Sequence, residues 1–316
     1  MLRYVAERLL LTVALLFVIS IATFGLMSLV VGDPVYAILG SESSADELTI
    51  ERLRRELQLD RPLPVRYLDW ASHAVTGDLG RSFRQPIPVR DAVLARLPVT
   101  LELTALATAL AIACAIPLGM AAALRAGGRL DVGLSAVAAV NLSLPNFLLG
   151  ILLIYVFALR LRWLPSAGYI PVTTDPLAHL RLLLLPTVTL AAAYVGSLSR
   201  YVRSLMADVL HEDYVRTARA KGLGRAVVIR RHALRNALIP LTTVIGVEVA
   251  GLFGGAVVTE IVFSLPGVGT LLTESILGRD LPMVQGIVLF VTAAVVLSSL
   301  GVDLLYGFLD PRVRMS

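Results

Sequence analysis

Charge is scarce in this chain. Only 16% of its 316 residues are Asp, Glu, Lys or Arg, against roughly 25% in a soluble domain. Cysteine occurs once, as Cys114, which excludes an intrachain disulfide framework and a cysteine-based metal site. Lysine also occurs once, as Lys221 between Ala220 and Gly222. A phosphate-binding loop needs Gly-Lys-Ser or Gly-Lys-Thr, so the chain is not expected to hydrolyse nucleotide itself. The four histidines, His73, His179, His211 and His232, are scattered and form no His-Glu-x-x-His pair. They read as surface or interfacial side chains. There is no Gly-x-Ser-x-Gly elbow, and no catalytic or metal-binding residue is predicted.

What fills the chain instead is apolar. Hydrophobic residues make up 57% of it, and mean hydropathy is +0.80. Six runs approach or exceed the roughly 20 residues that cross a hydrocarbon layer as a helix. They lie at Leu9–Val31, Leu101–Leu124, Leu134–Leu159, Leu182–Ser199, Leu238–Val262 and Gln285–Leu309. Backbone in lipid must satisfy its own hydrogen bonds, so these are predicted helices; a membrane β-barrel would show short alternating segments. The first run carries no charge and is too long for a typical signal sequence, so it is counted as a span. The prediction is an all-α polytopic membrane protein with six transmembrane helices.

The most informative polar stretch between spans is Asp208–Asn236. It carries seven cations, Arg216, Arg219, Lys221, Arg225, Arg230, Arg231 and Arg235, against the acids Asp208, Glu212 and Asp213. The positive-inside bias places it in the cytoplasm. That same bias accounts for the pI near 9.6 without invoking nucleic acid. Six spans then put both termini inside, in agreement with Arg3, Arg8, Arg312 and Arg314, and with Arg125 and Arg129 after the second span. Arg160, Arg162 and Arg181 in an outer loop argue the other way, and seven cations outweigh three. Apolar residues recur at helical spacing on both sides of Gly222-Leu223-Gly224, which predicts two short helices and a turn. A basic segment contacting lipid phosphates would explain the charge but not the helical pattern, and a mere connection would be shorter.

Residues 32–99 fall outside. Ser44 and Glu47 form a capping-box pair ahead of a helix through Leu57, Arg61-Pro62-Leu63-Pro64 breaks the chain, and a second amphipathic stretch covers Val65–Val75. This small helical insertion is read equally as a lid on the spans or as a dock for an external partner. Within the spans, Glu248 is the deep acid, while Glu260 and Asp303 lie nearer the ends. A charge at mid-depth costs about 2.5–3.5 kcal/mol on insertion scales. Glu248 therefore either lines a watery path and meets substrate, a cationic one included, or hydrogen-bonds a neighbouring helix. Gly246, Ala250 and Gly254, with the pair Gly251 and Gly255, give the fifth span a face for close helix approach, within the chain or to a second membrane subunit.

The segment Tyr214-Val215-Arg216-Thr217-Ala218-Arg219-Ala220-Lys221-Gly222, continued to Ile239-Pro240, resembles the cytoplasmic EAA loop of ABC importer permeases. The form is that of the dipeptide/oligopeptide (B-type) branch. The resemblance extends to Gly32-Asp33-Pro34, Leu59-Asp60-Arg61-Pro62-Leu63-Pro64-Val65, Gly77–Phe83, Leu97–Leu103, Leu142-Ser143-Leu144-Pro145, Ser264–Gly269 and Asp310-Pro311-Arg312. It implies a type I permease fold in the bacterial inner (plasma) membrane. The expected domains are residues 1–31 as cytoplasmic N-terminus and first span, 32–99 as extracytoplasmic subdomain, 100–310 as five-span core with the loop at 208–240, and 311–316 as cytoplasmic tail.

The resemblance further implies a coupling helix, with Asp213, Tyr214, Arg216, Thr217, Ala218, Arg219, Lys221 and Gly222 as its ATPase-coupling residues. Small Ala218 would permit close approach of an ATPase, and Gly222 the turn that ends the helix. Arg216 stands where the motif has glutamate, so no acidic role carries over there. The implied partners are a second homologous permease, two ABC ATPases, an extracytoplasmic substrate-binding protein and membrane lipid. This chain would bind no cofactor itself, with ATP and Mg held by the ATPases. Alternatives are an importer of nickel, opines or sugars within the same branch, a secondary transporter driven by an ion gradient, and a membrane scaffold.

Overall fold

A computed structural model of the chain describes residues 2–29, 35, 39 and 47–309. Ser44 of the predicted capping box, Gly32-Asp33-Pro34 and Asp310-Pro311-Arg312 lie outside the described residues, as do the side chains of Arg3, Arg8, Asp303, Arg312 and Arg314. The long helices are α1 (Leu2–Leu29), α4 (Val89–Ala123), α7 (Pro176–Leu210), α9 (Arg235–Val262) and α11 (Leu281–Leu309). Between them stand α2 (Glu47–Glu56), α3 (Leu63–Val75), α5 (Arg129–Ser143), α6 (Asn146–Leu153), α8 (Asp213–Ala220) and α10 (Val268–Leu277). Five helices are long and apolar enough to cross a membrane, and no named strand occurs among the described residues.

The third apolar run differs from the single span expected at Leu134–Leu159. It is a pair, α5 and then α6 with its wider-wound continuation Ile154–Arg160, bent by 102°. The cause is local. Pro145 excludes helical backbone from the residue before it, and Leu144 is extended at φ −86°, ψ 125°. Counting the pair as one crossing gives six.

The chain divides into two compact units, Met1–Val99 with Pro266–Val296, and Thr100–Leu265 with Leu297–Ser316. In the first, the insertion between α1 and α4 shares one unit with α1 and α10. Its α3 lays Tyr67 and Trp70 against Phe24 of α1, with ring centroids 5.5 and 6.1 Å away, and Tyr67 shares a 2.8 Å hydrogen bond with Ser20. Val89, Val93, Val268, Met283 and Ile287 form its apolar core. Asp280, 3% exposed, accepts from Ser82 Oγ and, at 3.1 Å, from the Phe83 amide.

In the second unit, α4, α7 and α9 pack through Ala115, Leu198, Val202, Met206, Ala237 and Leu241. Small residues permit this approach, as expected where helices associate without a hydrophobic driving force between them. Gly119 is the tightest point, since a Cβ there would lie 2.6 Å from Ser199 O and from Val202 Cβ. Polar side chains fasten the remaining pairs. Arg203 of α7 grips Asp131 of α5 through two bonds of 2.5 and 2.7 Å, and Asn141 Nδ2 donates to Ala192 O.

Two of the glycines separate tight packing from open surface. Gly119→Ala should destabilise the purified chain by about 1–3 kcal/mol, the usual cost of overpacking, whereas Gly254→Ala, with nothing within 4 Å of the new Cβ, should leave it unchanged. Denaturant titration of the two variants in detergent checks both.

Candidate coupling surface and polar groups at membrane depth

The polar loop of the sequence resolves into one free helix. α8 starts at the extended residue Glu212 (φ −66°, ψ 147°) and turns one face inward. Val215 and Ala218, three residues apart and so on one side, pack with Val228 and Val209. Asp213, Tyr214, Arg216, Thr217, Arg219 and Lys221 are all exposed. Thr217 Oγ1 donates back to Asp213 O at 2.9 Å, and Arg216 reaches Asp213 Oδ1 at 3.4 Å.

The helix ends at Gly222, whose φ of +77° is the left-handed conformation that glycine adopts without a Cβ penalty. The Leu223 amide returns to Ala218 O and the Gly222 amide to Arg219 O, the paired bonds of a Schellman cap. Gly222 therefore supplies the turn that ends the helix. Ala218 is only 5% exposed, against the chain's own Val228. Its small size serves packing inside the subunit, and the residues presented outward are its polar neighbours.

The second expected short helix is not separate. Arg225–Val227, the π-wound stretch Val228–Leu234 and α9 join through residues that all keep helical backbone, so the segment after Gly224 is the first turns of the fifth span. Likewise Asp208 and Leu210 belong to the end of α7.

Glu248 lies midway along α9 and is half-buried. Ser197 Oγ of α7 donates to its Oε1 at 2.7 Å, so the hydrogen bond between helices is present. It engages one carboxylate oxygen, and no ion pair to Glu248 forms among the described residues. The small face of α9 splits in two. Gly251 and Gly255 lie against α7, where Cβ atoms would sit 3.2 Å from Tyr194 Oη and 3.0 Å from Leu190 Cδ1. Gly246 is buried, Ala250 half-buried, and Gly254 opens outward.

Two polar clusters escaped sequence reasoning. Glu260, set aside as near a helix end, is fully buried and accepts from Thr100 Oγ1 at 2.6 Å. His179, read as a surface or interfacial side chain, is 2% exposed. Its Nε2 lies 2.7 Å from Glu102 Oε1 and its Nδ1 2.7 Å from Ile170 O. Tyr169 donates to Glu102 Oε2 at 3.1 Å, and burial, aided by that carboxylate, pushes its phenol up from the ordinary tyrosine value. The partners are 67 and 77 residues apart, a separation that carries no periodic signal. The one available cue was the cost of an acid beside an apolar run.

Residues 115–315 match the family described as binding-protein-dependent transport system inner membrane component, and residues 1–104 match its N-terminal counterpart. The di/tripeptide transport system permease protein DppB of Pseudomonas aeruginosa is 39% identical over 334 residues, spanning 99% of each chain. A Brucella abortus protein named as a peptide transport system permease is 43% identical over 310 residues, spanning 98% of each. Among solved structures, the MetNI methionine ABC transporter in inward facing conformations superposes with a TM-score of 0.59 at 16% identity. It covers 69% of this chain and 96% of that one, a likeness of fold. The helical order, the apolar spans and these matches agree, and the chain belongs to the family of inner membrane components of binding-protein-dependent transport systems, as a type I permease subunit.

Proposed function

We propose that the chain forms half of the translocation pathway of an ATP-driven peptide importer. Its partners are a second homologous permease, two ATPase subunits that bind ATP and Mg, and an extracytoplasmic substrate-binding protein. Both termini and α8 lie in the cytoplasm of a bacterial cell, and residues 32–99 outside. The observation that carries this reading is α8 itself, a capped helix with its apolar side seated on the chain and Tyr214, Arg216, Thr217, Arg219 and Lys221 turned outward. That is the form of a helix built to meet a second protein. The relatives matched along nearly their whole length are named as peptide and di/tripeptide permeases, which supports peptide as the cargo.

In this mechanism the ATPases move α8, and α8 moves the spans. Val215 and Ala218 transmit the load to Val228, at the head of the fifth span. Gly222 sets the angle at which α8 leaves that span. Glu248 faces the pathway with its free oxygen, and exposed Gly254 marks the face of α9 that meets the second permease.

Three outcomes are expected. In a chain with Cys114→Ala and Thr217→Cys, an impermeant thiol reagent labels inside-out vesicles and spares right-side-out ones; the reverse pattern would refute the assignment of α8 to the cytoplasm. Gly222→Val forces a β-branched residue into left-handed backbone at a cost of about 1–2 kcal/mol. The complex should still assemble while peptide uptake per ATP hydrolysed falls. Uptake of peptides into proteoliposomes should require ATP inside and survive an ionophore. Uptake without ATP that collapses with the ionophore would identify an ion-driven carrier instead.

A further inference from the structure

Midway along α7 and α9, polar side chains gather on one seam. Tyr194 and Ser197 stand three residues apart on α7, and so on one side of it. Glu248, Gly251 and Gly255 follow one another along the facing side of α9. Ser197 holds Glu248 Oε1 at 2.7 Å. The Tyr194 hydroxyl lies over Gly251, 3.2 Å from where a Cβ would stand. Both that hydroxyl and Asn146 Nδ2 lie 3.7 Å from the Cβ position of Gly255. Asn146 opens α6, directly after the bend at Pro145. All four polar side chains are half-buried. The Tyr194 hydroxyl and the Asn146 carboxamide make no hydrogen bond among the described residues, and Glu248 has no cation there.

We infer that this row binds the N-terminal ammonium of the peptide in transit, an inference that rests on the peptide cargo and the pathway-facing Glu248 proposed above. Polar groups left unsatisfied inside apolar spans are costly, and here three of them converge on one spot. An ammonium supplies the donors that the second oxygen of Glu248 lacks, and a hydrogen bond to a charged group is the strong kind. Ser197 fixes the carboxylate while leaving that oxygen open. The first peptide bond follows directly behind an N-terminal ammonium. Its carbonyl accepts from the Tyr194 hydroxyl, one helical turn from Glu248, and its amide donates to the Asn146 carbonyl. A lysine side chain carries the same ammonium at the end of an apolar stem, so it would satisfy Glu248 and leave Tyr194 and Asn146 bare. Gly251 and Gly255 keep the row open, because a side chain at either would press on the Tyr194 hydroxyl. Every unblocked peptide has this N-terminal group whatever its side chains, so the row selects free N-termini without selecting sequence.

The test is uptake by the assembled complex in proteoliposomes, with its binding protein, of Ala-Phe-Ala, N-acetyl-Ala-Phe-Ala and N-acetyl-Ala-Lys-Ala. The quantity read is the ratio of kcat/KM for free over acetylated Ala-Phe-Ala, in the unaltered chain and in each variant. Any preference of the binding protein is common to all and cancels between them. Glu248→Gln should lower the ratio about tenfold, the weight of one hydrogen bond to a charged group, by slowing the free peptide alone. Tyr194→Phe should slow both forms about threefold, as loss of a neutral hydrogen bond does, and leave the ratio unchanged. ATP-driven peptide uptake with the same ratio in Glu248→Gln overturns the subsite and leaves the proposed cargo standing. Failure of the unaltered complex to take up any peptide overturns the cargo and this inference with it. Uptake of N-acetyl-Ala-Lys-Ala as fast as the free peptide, abolished by Glu248→Gln, assigns the carboxylate to lysine side chains and refutes the N-terminal reading. Loss of the second permease from purified Glu248→Gln complexes assigns the carboxylate to the interface between permeases and refutes it as well.

Discussion

A lipid bilayer offers no water to a freed backbone group, and every irregularity of this chain answers to that. The long helices close their own hydrogen bonds, so their interiors need nothing from neighbours. Where the third crossing breaks at Leu144–Pro145, the chain restarts within one residue. The Leu144 amide still reaches Val140 O at 3.1 Å, and the Leu148 and Leu149 amides bond to Pro145 O at 3.0 and 3.2 Å. The break therefore turns the chain by 102° while these three amides stay paired. At the end of α9 the same demand is met by a cap, with Leu265 N bonding to Glu260 O at 2.8 Å.

Polar side chains obey a parallel rule, since each must find its partner across a helix boundary. Glu260 takes Thr100 from α4, Glu248 takes Ser197 from α7, and Asp131 of α5 takes Arg203 from α7. These contacts fall at different heights along α7 and α9, so the helices are pinned at separate points by bonds that can be exchanged singly. A purely apolar seam would slide. A seam with discrete polar bonds has preferred registers, and such bistable contacts are what a subunit with two states requires.

The spans were legible because a run of twenty apolar residues has few other uses, and α8 because its apolar period stops at a glycine. Helix ends were less readable. α2, α3, α8, α9 and α10 all end in left-handed backbone, but only α3 and α8 use glycine, at Gly77 and Gly222. The other three place Gln58, Ser264 and Arg279 there, at φ 54°, 52° and 54°, residues that no turn rule selects. Both ends of the polar loop were misjudged for a related reason. Polar residues can lengthen a span helix beyond the hydrocarbon, and periodicity alone does not mark where the membrane stops. The pairings of buried His179 and Glu260 were not readable, because their partners come from distant segments.

The burial of Ala218 changes how the loop is understood. Had α8 been a free knob joined by flexible turns, motion at its surface would dissipate in the linker. Instead Val215 and Ala218 bear on Val228, and Val228 belongs to a helix that runs unbroken in backbone from Arg225 to Val262. At about 1.5 Å per residue such a rod is on the order of 55 Å long, enough to cross the whole bilayer. The rod has two local weak points. One is its π-wound stretch Val228–Leu234, where wider turns loosen the ladder. The other is Pro240, which lacks the amide its turn needs. Both lie close to the contact with α8 and far from Glu260. A load applied at α8 would thus bend the rod near its base and carry the upper part, with Glu248 and Glu260, as a single arm.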